Sequence, residues 1–361
     1  MTPSDIRSLI DSIQDPDLHQ PLSALKGIHD VQVEGNTVKI FLDIVQPVHG
    51  VARRIDHDVT QNVLANYPDA EVSVFVREIA HPTSARPAAI AGVHNLIAVA
   101  SGKGGVGKST LTANLAATLA SKGLLVGILD ADIYGPSQPT MYGMSGEGMR
   151  AEKSDDGKIL GYPNVNHGVK VASIGFVMQR DQAAILRGPM LAGYFTTLVE
   201  QIQWEDLDVL LFDLPPGTGD IQLTMTQRIP LTGAIIVTTP QEIALADVRR
   251  SIQMFRKVNV EVLGVVENMS YFEPPDAPGK RYHIFGEGGG RTVANEYDVP
   301  LLGEIPINMG IRSGADEGIP AALDQDAGSI TETLHNVADQ VLAAIRRTNY
   351  KNAKSAIQIE L

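Results

Sequence analysis

The sequence predicts an α/β fold: a parallel sheet flanked by helices, preceded by a small α/β domain. Three observations carry this. Beyond residue 92, short apolar runs recur at 96–100, 125–129, 209–212, 234–237 and 262–266, with helical periodicity between most of them. Strands apolar on both faces that alternate with helices belong to a parallel sheet. The first of these strands runs into a Gly-rich loop and then a helix, the order a phosphate-binding loop requires. The first 80 residues instead show strands that alternate apolar and polar positions, as a sheet with one buried face does.

The elements follow in order. Thr2 stands as an N-cap before Pro3, and Ile6, Leu9, Ile10 and Ile13 make one apolar helix face. Val31 and Val33 alternate with polar residues, Gly35-Asn36 marks a turn, and Val38, Ile40, Leu42 and Ile44 alternate again. That pattern is a hairpin. Val51, Ile55, Val59 and Val63 recur every four residues, as a helix face does, and 71–78 reads as a third strand through Val72, Val74 and Val76. Residues 1–80 therefore form one domain. Residues 81–92, HPTSARPAAIAG, hold two prolines and no period, and read as a linker. Residues 93–350 form the parallel-sheet domain. Its last stretch, 337–347, is an amphipathic terminal helix, and 351–361 is a tail.

Composition narrows the chemistry. The 361 residues are 43% hydrophobic and 20% charged, which fits a globular chain and excludes wholesale disorder. No apolar run is long enough for a membrane helix. The start, MTPSDIRSLIDSIQD, lacks the basic and apolar regions of a secretory signal, so the expected compartment is the cytoplasm. With 42 acids against 29 bases the net charge is −13, which argues against nucleic acid as a partner. There is no cysteine. The chain by itself can build no disulfide, thiolate nucleophile, Cys-ligated zinc or Cys-ligated iron–sulfur cluster.

Gly102-Lys103-Gly104-Gly105-Val106-Gly107-Lys108-Ser109 matches G-x-x-x-x-G-K-S/T between a buried strand and a helix bearing Leu111, Leu115 and Leu119. The glycines let backbone N–H groups, including that of Thr110, close around phosphate oxygens at a helix N-terminus. Lys108 is placed to bridge β- and γ-phosphates, and Ser109 to ligate Mg²⁺. The domain thus reads as a P-loop NTPase with ATP and Mg²⁺ as its expected ligands. Asp130 and Asp213 each end an apolar strand behind the loop, the position of a Mg²⁺-shell acid. Pro215-Pro216-Gly217-Thr218-Gly219-Asp220 follows as a γ-phosphate-sensing switch.

KGGVGKST (103–110) resembles the deviant Walker A loop of the MinD/ParA/ArsA ATPase class. The resemblance implies a homodimer that sandwiches two ATP molecules, with Lys103 reaching across to the partner's nucleotide like an arginine finger. It also implies that Asp132 positions the attacking water. Asn268, with backbone near Ile305-Pro306, is implied to contact adenine; a strand-end turn role for Asn268 fits as well.

With DADIYGPSQP (130–139), DLPPGTGD (213–220), VENMSYF (266–272) and IFGEGGG (284–290) in that order, the chain resembles the Mrp/NBP35 (ApbC) iron–sulfur carrier ATPases. Its first domain is similar to the MIP18-type (DUF59) domain often fused ahead of them. The resemblance implies a 4Fe-4S cluster as cargo and apoproteins as clients. Its C-x-x-C pair falls within 273–283, which here reads EPPDAPGKRYH, and the cysteine loop of the first domain reads Gln46-Pro47-Val48-His49-Gly50. Glu273, Asp276 and His283 are hard or single-nitrogen donors, poorly matched to a sulfide cluster, so the segment reads as a Pro-rich surface loop and His49 as a loop histidine. Three functions remain open: an iron–sulfur assembly ATPase, a cysteine-free ATP-switched adaptor, and a MinD/ParA-type positioning ATPase. Acidic charge and a plain C-terminal tail argue against the last, since neither suits a membrane or DNA surface.

Overall fold

The computed structural model describes residues 1–48, 50–79, 90–133, 135–155, 157–177, 188–324 and 328–357. The predicted linker falls largely on residues outside this set, as does His49. The chain divides into two compact units, residues 1–86 with 342–361, and residues 87–341.

The first unit is a three-stranded sheet under two helices. Helix α1 (Pro3–Ile10) starts at a capping box, in which Asp5 N donates to Thr2 Oγ1 at 3.2 Å and Thr2 N to Asp5 Oδ2 at 2.8 Å. Strands β1 (Ile28–Glu34) and β2 (Thr37–Val45) form the predicted hairpin. The turn residue Gly35 has φ of 62°, where a side chain would be strained. Helix α2 (Ala52–Asn66) carries the chain to β3 (Glu71–Ile79), which pairs parallel with β2, so the sheet order is β1-β2-β3. Ile55, Val59 and Val63 of α2 are fully buried in one core with Val38, Ile40 and Leu42. Each such side chain contributes about 1.5–3 kcal/mol of transfer free energy.

The second unit holds the predicted parallel sheet. Its strands are β4 (Val93–Ser101), β5 (Val126–Asp130), β8 (Asn164–Asn166), β9 (Val169–Ser173), β10 (Leu207–Asp213), β11 (Gly233–Thr238), β12 (Val262–Phe272) and β13 (Leu301–Ile307). They lie in the order β13-β12-β11-β4-β10-β5-β9-β8. All pairings are parallel except β8 with β9. The small β6 (Arg150–Lys153) and β7 (Ile159–Tyr162) pair apart from it. Helices α3 (Lys108–Ser121), α4 (Gln138–Met141), α5 (Gly188–Gln201), α6 (Asp220–Arg228), α7 (Glu242–Lys257), α8 (Gly289–Glu296) and α9 (Met309–Glu317) fill the connections. The five predicted apolar runs are five of these strands, although Leu125 lies just outside β5 and is exposed. Central strand β4 leads into the P-loop, and the chain crosses to β5 before returning to place β10 between them. The P-loop therefore opens where the strand order reverses, the usual site of a ligand crevice.

Helix α10 (Ser329–Ile357) departs from the predicted boundaries. The sequence assigned 342–350 to the ATPase domain and 351–361 to a tail. The helix instead continues to Ile357, and everything from residue 342 belongs with the first unit. The reason is a buried charge network. Arg346 is 1% exposed and donates to Asp15 Oδ1 and Oδ2 at 3.1 and 2.7 Å, Asp17 Oδ2 at 2.6 Å and Val45 O at 3.1 Å. Arg54 donates to the other Asp17 oxygen at 2.5 Å. Burial pushes the Asp15 carboxyl up, and the Arg346 guanidinium outweighs it, leaving Asp15 below the ordinary carboxylate range. Among the described residues no helix is long and apolar enough to cross a membrane.

Candidate functional site

Strand pairing sets the geometry. Asp213 at the end of β10 is the register partner of Asp130 on β5 and of Val99 on β4, three residues before the loop begins at Gly102. Two carboxylates and the P-loop thus emerge side by side from one sheet edge. The loop itself turns into α3 at Gly107, whose φ is 85°. A Cβ there would lie 2.1 Å from Asn268 Nδ2, so both conformation and space demand glycine. A Cβ on Gly102 would lie 2.4 Å from Asp247 of α7.

Lys108 opens α3 and is 6% exposed. Its ammonium donates to Asp213 Oδ1, lies 3.1 Å from Ser109 Oγ and stands 4.0 Å from Asp132 Oδ2. Thr112 Oγ1, one turn along, reaches the same Asp213 oxygen at 3.3 Å. The structure therefore brings Lys108, Ser109, Asp132 and Asp213 together. Asp130 is fully buried and occupied otherwise. Its Oδ2 accepts from Ser137 N at 3.0 Å, Gln138 N at 3.1 Å and Ser173 Oγ at 3.1 Å, and its Oδ1 from Asp132 N at 3.3 Å. Burial, then the Asp213 charge beside it, push the Asp130 carboxyl up to about 7. Asp130 orders the backbone of 132–138, the segment that carries Asp132.

Lys103 Nζ donates to Gln241 Oε1 at 3.3 Å, at the start of α7. Asn268 Nδ2 donates to Val106 O at 2.9 Å, bracing the loop, and its register partner is Ile305. Asn268 and Ile305, expected near adenine, thus stand side by side at one register position of β12 and β13. The backbone of Gly217, in the predicted switch, donates to Ser101 O at 2.9 Å. The side chain of Asp220 lies outside the described ones.

Two site residues escaped the sequence reading. Gln138 is buried and donates through Nε2 to Ser109 O at 3.0 Å and Asp213 Oδ2 at 2.8 Å. Glu267, also buried, accepts from Gly290 N at 2.5 Å and so caps α8. Both sit inside the quoted strings, but nothing local in a sequence marks a Gln or Glu as turned inward.

The donors suit Mg²⁺. They are hard oxygens from Ser109, Asp213 and Asp132 beside a phosphate loop, and the buried Gln138 Oε1 has no hydrogen-bond partner. Among the described residues no three His, Asp or Glu converge as a metal cage. An iron–sulfur cluster is not matched. With no cysteine in the chain, 273–283 closes on itself instead. Phe272 and Tyr282 exchange backbone bonds at 2.9 Å, Glu273 Oε1 accepts from Gly279 N at 2.8 Å, and His283 stands 3.7 Å from Glu287. The Arg281 guanidinium lies 4.2 Å from the centre of the Tyr271 ring.

The family model of ParA, described as NUBPL iron-transfer P-loop NTPase, matches residues 92–342. A protein of Synechocystis named iron-sulfur cluster carrier protein is 42% identical over 347 residues, 96% of this chain and 98% of that one. The Escherichia coli protein of the same name is 40% identical over 338 residues, 92% and 90% of the two chains. A nucleotide-binding protein of Archaeoglobus fulgidus, solved in complex with ADP, superposes with a TM-score of 0.57 at 40% identity, over 65% of this chain and 91% of that one. The cell-division ATPase MinD of Pyrococcus furiosus shares the fold at 22% identity, with a TM-score of 0.51 over 68% and 98%. With its P-loop at the switch point of a parallel sheet and relatives matching over nine-tenths or more of both chains, the chain belongs to the ParA-type family of iron-transfer P-loop NTPases, the group that its ordered Mrp/NBP35 motifs resemble.

Proposed function

We propose that the protein binds and hydrolyses Mg²⁺-ATP and uses that cycle in iron–sulfur cluster assembly, acting on apoprotein clients. One observation carries the nucleotide part: a buried lysine, the P-loop Ser109 and the carboxylates of Asp213 and Asp132 converge under a glycine loop at a helix N-terminus. The loop N–H groups from Gly104 to Thr110 receive the phosphates, with Gly102 and Val106 shaping the turn. Lys108 exchanges Asp213 for phosphate oxygens and neutralises charge that builds on them. Ser109 Oγ and Asp213 would hold the metal, which when bound would supply charge neutralisation at the phosphates. Asp132 orients the attacking water. Lys103 leaves Gln241 to reach the nucleotide of a second copy, and Asn268 meets adenine from the loop's far side.

The cluster is cargo, and this chain holds no thiolate for it. Iron–sulfur contact then runs through a partner's thiols. The absence of cysteine equally favours a second reading, an ATP-switched adaptor whose first unit docks a client without touching a cluster. Anaerobic reconstitution with iron and sulfide, followed by transfer to an apo-target with and without ATP, separates them. Iron retained by the protein, or ATP-dependent loading of the target, supports the assembly role. No bound iron and no effect on loading leave the adaptor. Absence of ATP hydrolysis removes both.

A further inference from the structure

Gln138 stands at the first position of α4, eight residues after Asp130, and none of its surface reaches solvent. Its Nε2 donates to Ser109 O at 3.0 Å and to Asp213 Oδ2 at 2.8 Å. A carbonyl and a carboxylate can only accept, so the amide nitrogen must face them and the orientation of the group is fixed. Oε1 of the same planar amide is buried and receives no hydrogen bond. A buried carbonyl left without a donor costs about 1–3 kcal/mol, and a native site carries such a group only where something else supplies a proton. The neighbouring Ser137 Oγ is also buried without a partner.

The place of the amide points to the class of donor. It shares an amide with a nitrogen in contact with the Asp213 carboxylate and the Ser109 carbonyl, between the two residues that face the metal. The cation suited to this site keeps several waters and takes few direct protein ligands. Those waters are polarised by the ion and donate strongly. The lysine does not serve, because its ammonium is engaged with Asp213 and Ser109 here and with phosphate oxygens once nucleotide binds.

We infer that Gln138 is an outer-sphere positioning residue for the metal: Oε1 accepts a hydrogen bond from a metal-bound water while Nε2 holds Asp213 and Ser109 in place. This rests on the P-loop being a Mg²⁺-nucleotide site. Groups that orient a metal's first shell in this way change its affinity about 10–100-fold when removed.

The test uses the full chain with Mn²⁺ and ADP as probes, reading free Mn²⁺ by electron paramagnetic resonance. ADP affinity is measured separately in EDTA. Gln138→Leu is expected to weaken Mn²⁺ binding in the ADP complex at least about tenfold and to leave ADP affinity in EDTA within about twofold. Gln138→Met, with an unbranched stem closer in shape, makes the same comparison where leucine perturbs folding as read by circular dichroism. Mn²⁺ affinity unchanged in either folded variant overturns the inference. An equal loss of ADP affinity in EDTA also overturns it, because Gln138 then only shapes the loop around a structural water. Wild-type protein that binds no ADP would overturn the nucleotide reading itself, and the metal role with it.

Discussion

Replacing Asp130 with asparagine should stabilise the second unit, and by more as the pH rises. Asp130 is buried, register-paired with Asp213, and its carboxyl is pushed up to about 7. In the unfolded chain the same group loses its proton near the ordinary carboxylate value of 3.8. Between these values the unfolded state binds fewer protons than the folded one, so stability falls as pH rises and levels off above about 7. Three pH units of difference correspond to about 4 kcal/mol of destabilisation at pH 8. About 1 kcal/mol of it develops between pH 6 and 8. Asparagine keeps one carbonyl oxygen for Ser137 N, Gln138 N and Ser173 Oγ, but sets its amide nitrogen, a donor, against Asp132 N in place of the 3.3 Å bond. Leaving that donor unsatisfied costs about 1–3 kcal/mol. The expected net gain is about 1–3 kcal/mol at pH 8. The sole tryptophan, Trp204, is buried in this unit's core, so urea denaturation followed by its fluorescence at pH 6 and pH 8 reads it directly. Both values lie above the isoelectric point of about 5.1. An Asp130→Asn protein no more stable than wild type at pH 8, with no growth in the difference from pH 6, would refute the raised carboxyl.

Lys108→Ala is expected to abolish ATP turnover by removing charge from the phosphates. Lys103→Ala should keep ATP binding yet lose turnover by about 10³-fold or more, the scale of a charge supplied in trans; a Lys103→Ala protein hydrolysing ATP at the wild-type rate refutes the sandwich dimer. Gly107→Ala forces a side chain into left-handed backbone and onto Asn268. It should cost about 1–3 kcal/mol and weaken ADP binding, and titration calorimetry showing unaltered affinity would count against that packing. Arg346→Met leaves the buried Asp15 without a guanidinium and Asp17 with that of Arg54 alone. It should destabilise the first unit by about 3–5 kcal/mol, seen as faster amide exchange in β1 to β3 while the Trp204 transition stays in place. Unchanged exchange there would show the network to be dispensable.

Much of this architecture is legible in sequence because its signals are local. A strand buried on both faces must be apolar throughout, so 209–212 and 262–266 declare themselves as β10 and β12. The short β8 and the half-exposed β13 went unread, because partial burial leaves mixed composition without a clean period. The glycine loop is legible because anion binding by backbone demands glycine at fixed spacing. Gln138 and Glu267 are not, since their polar ends satisfy partners far along the chain rather than any local pattern.

The sequence by itself determined the α/β class, the P-loop, the acids behind it and the lack of any thiolate. These depend on residue type and spacing alone. Only the tertiary structure decided that Asp213 takes the lysine while Asp130 is spent on the backbone of 132–138, because two strand-end aspartates look alike until strand order and register set their neighbours. Only it decided that the last turns of α10 belong with the first unit, because one buried arginine pairs with aspartates more than 300 residues earlier, and no local pattern of residues encodes a contact that chain folding alone brings about.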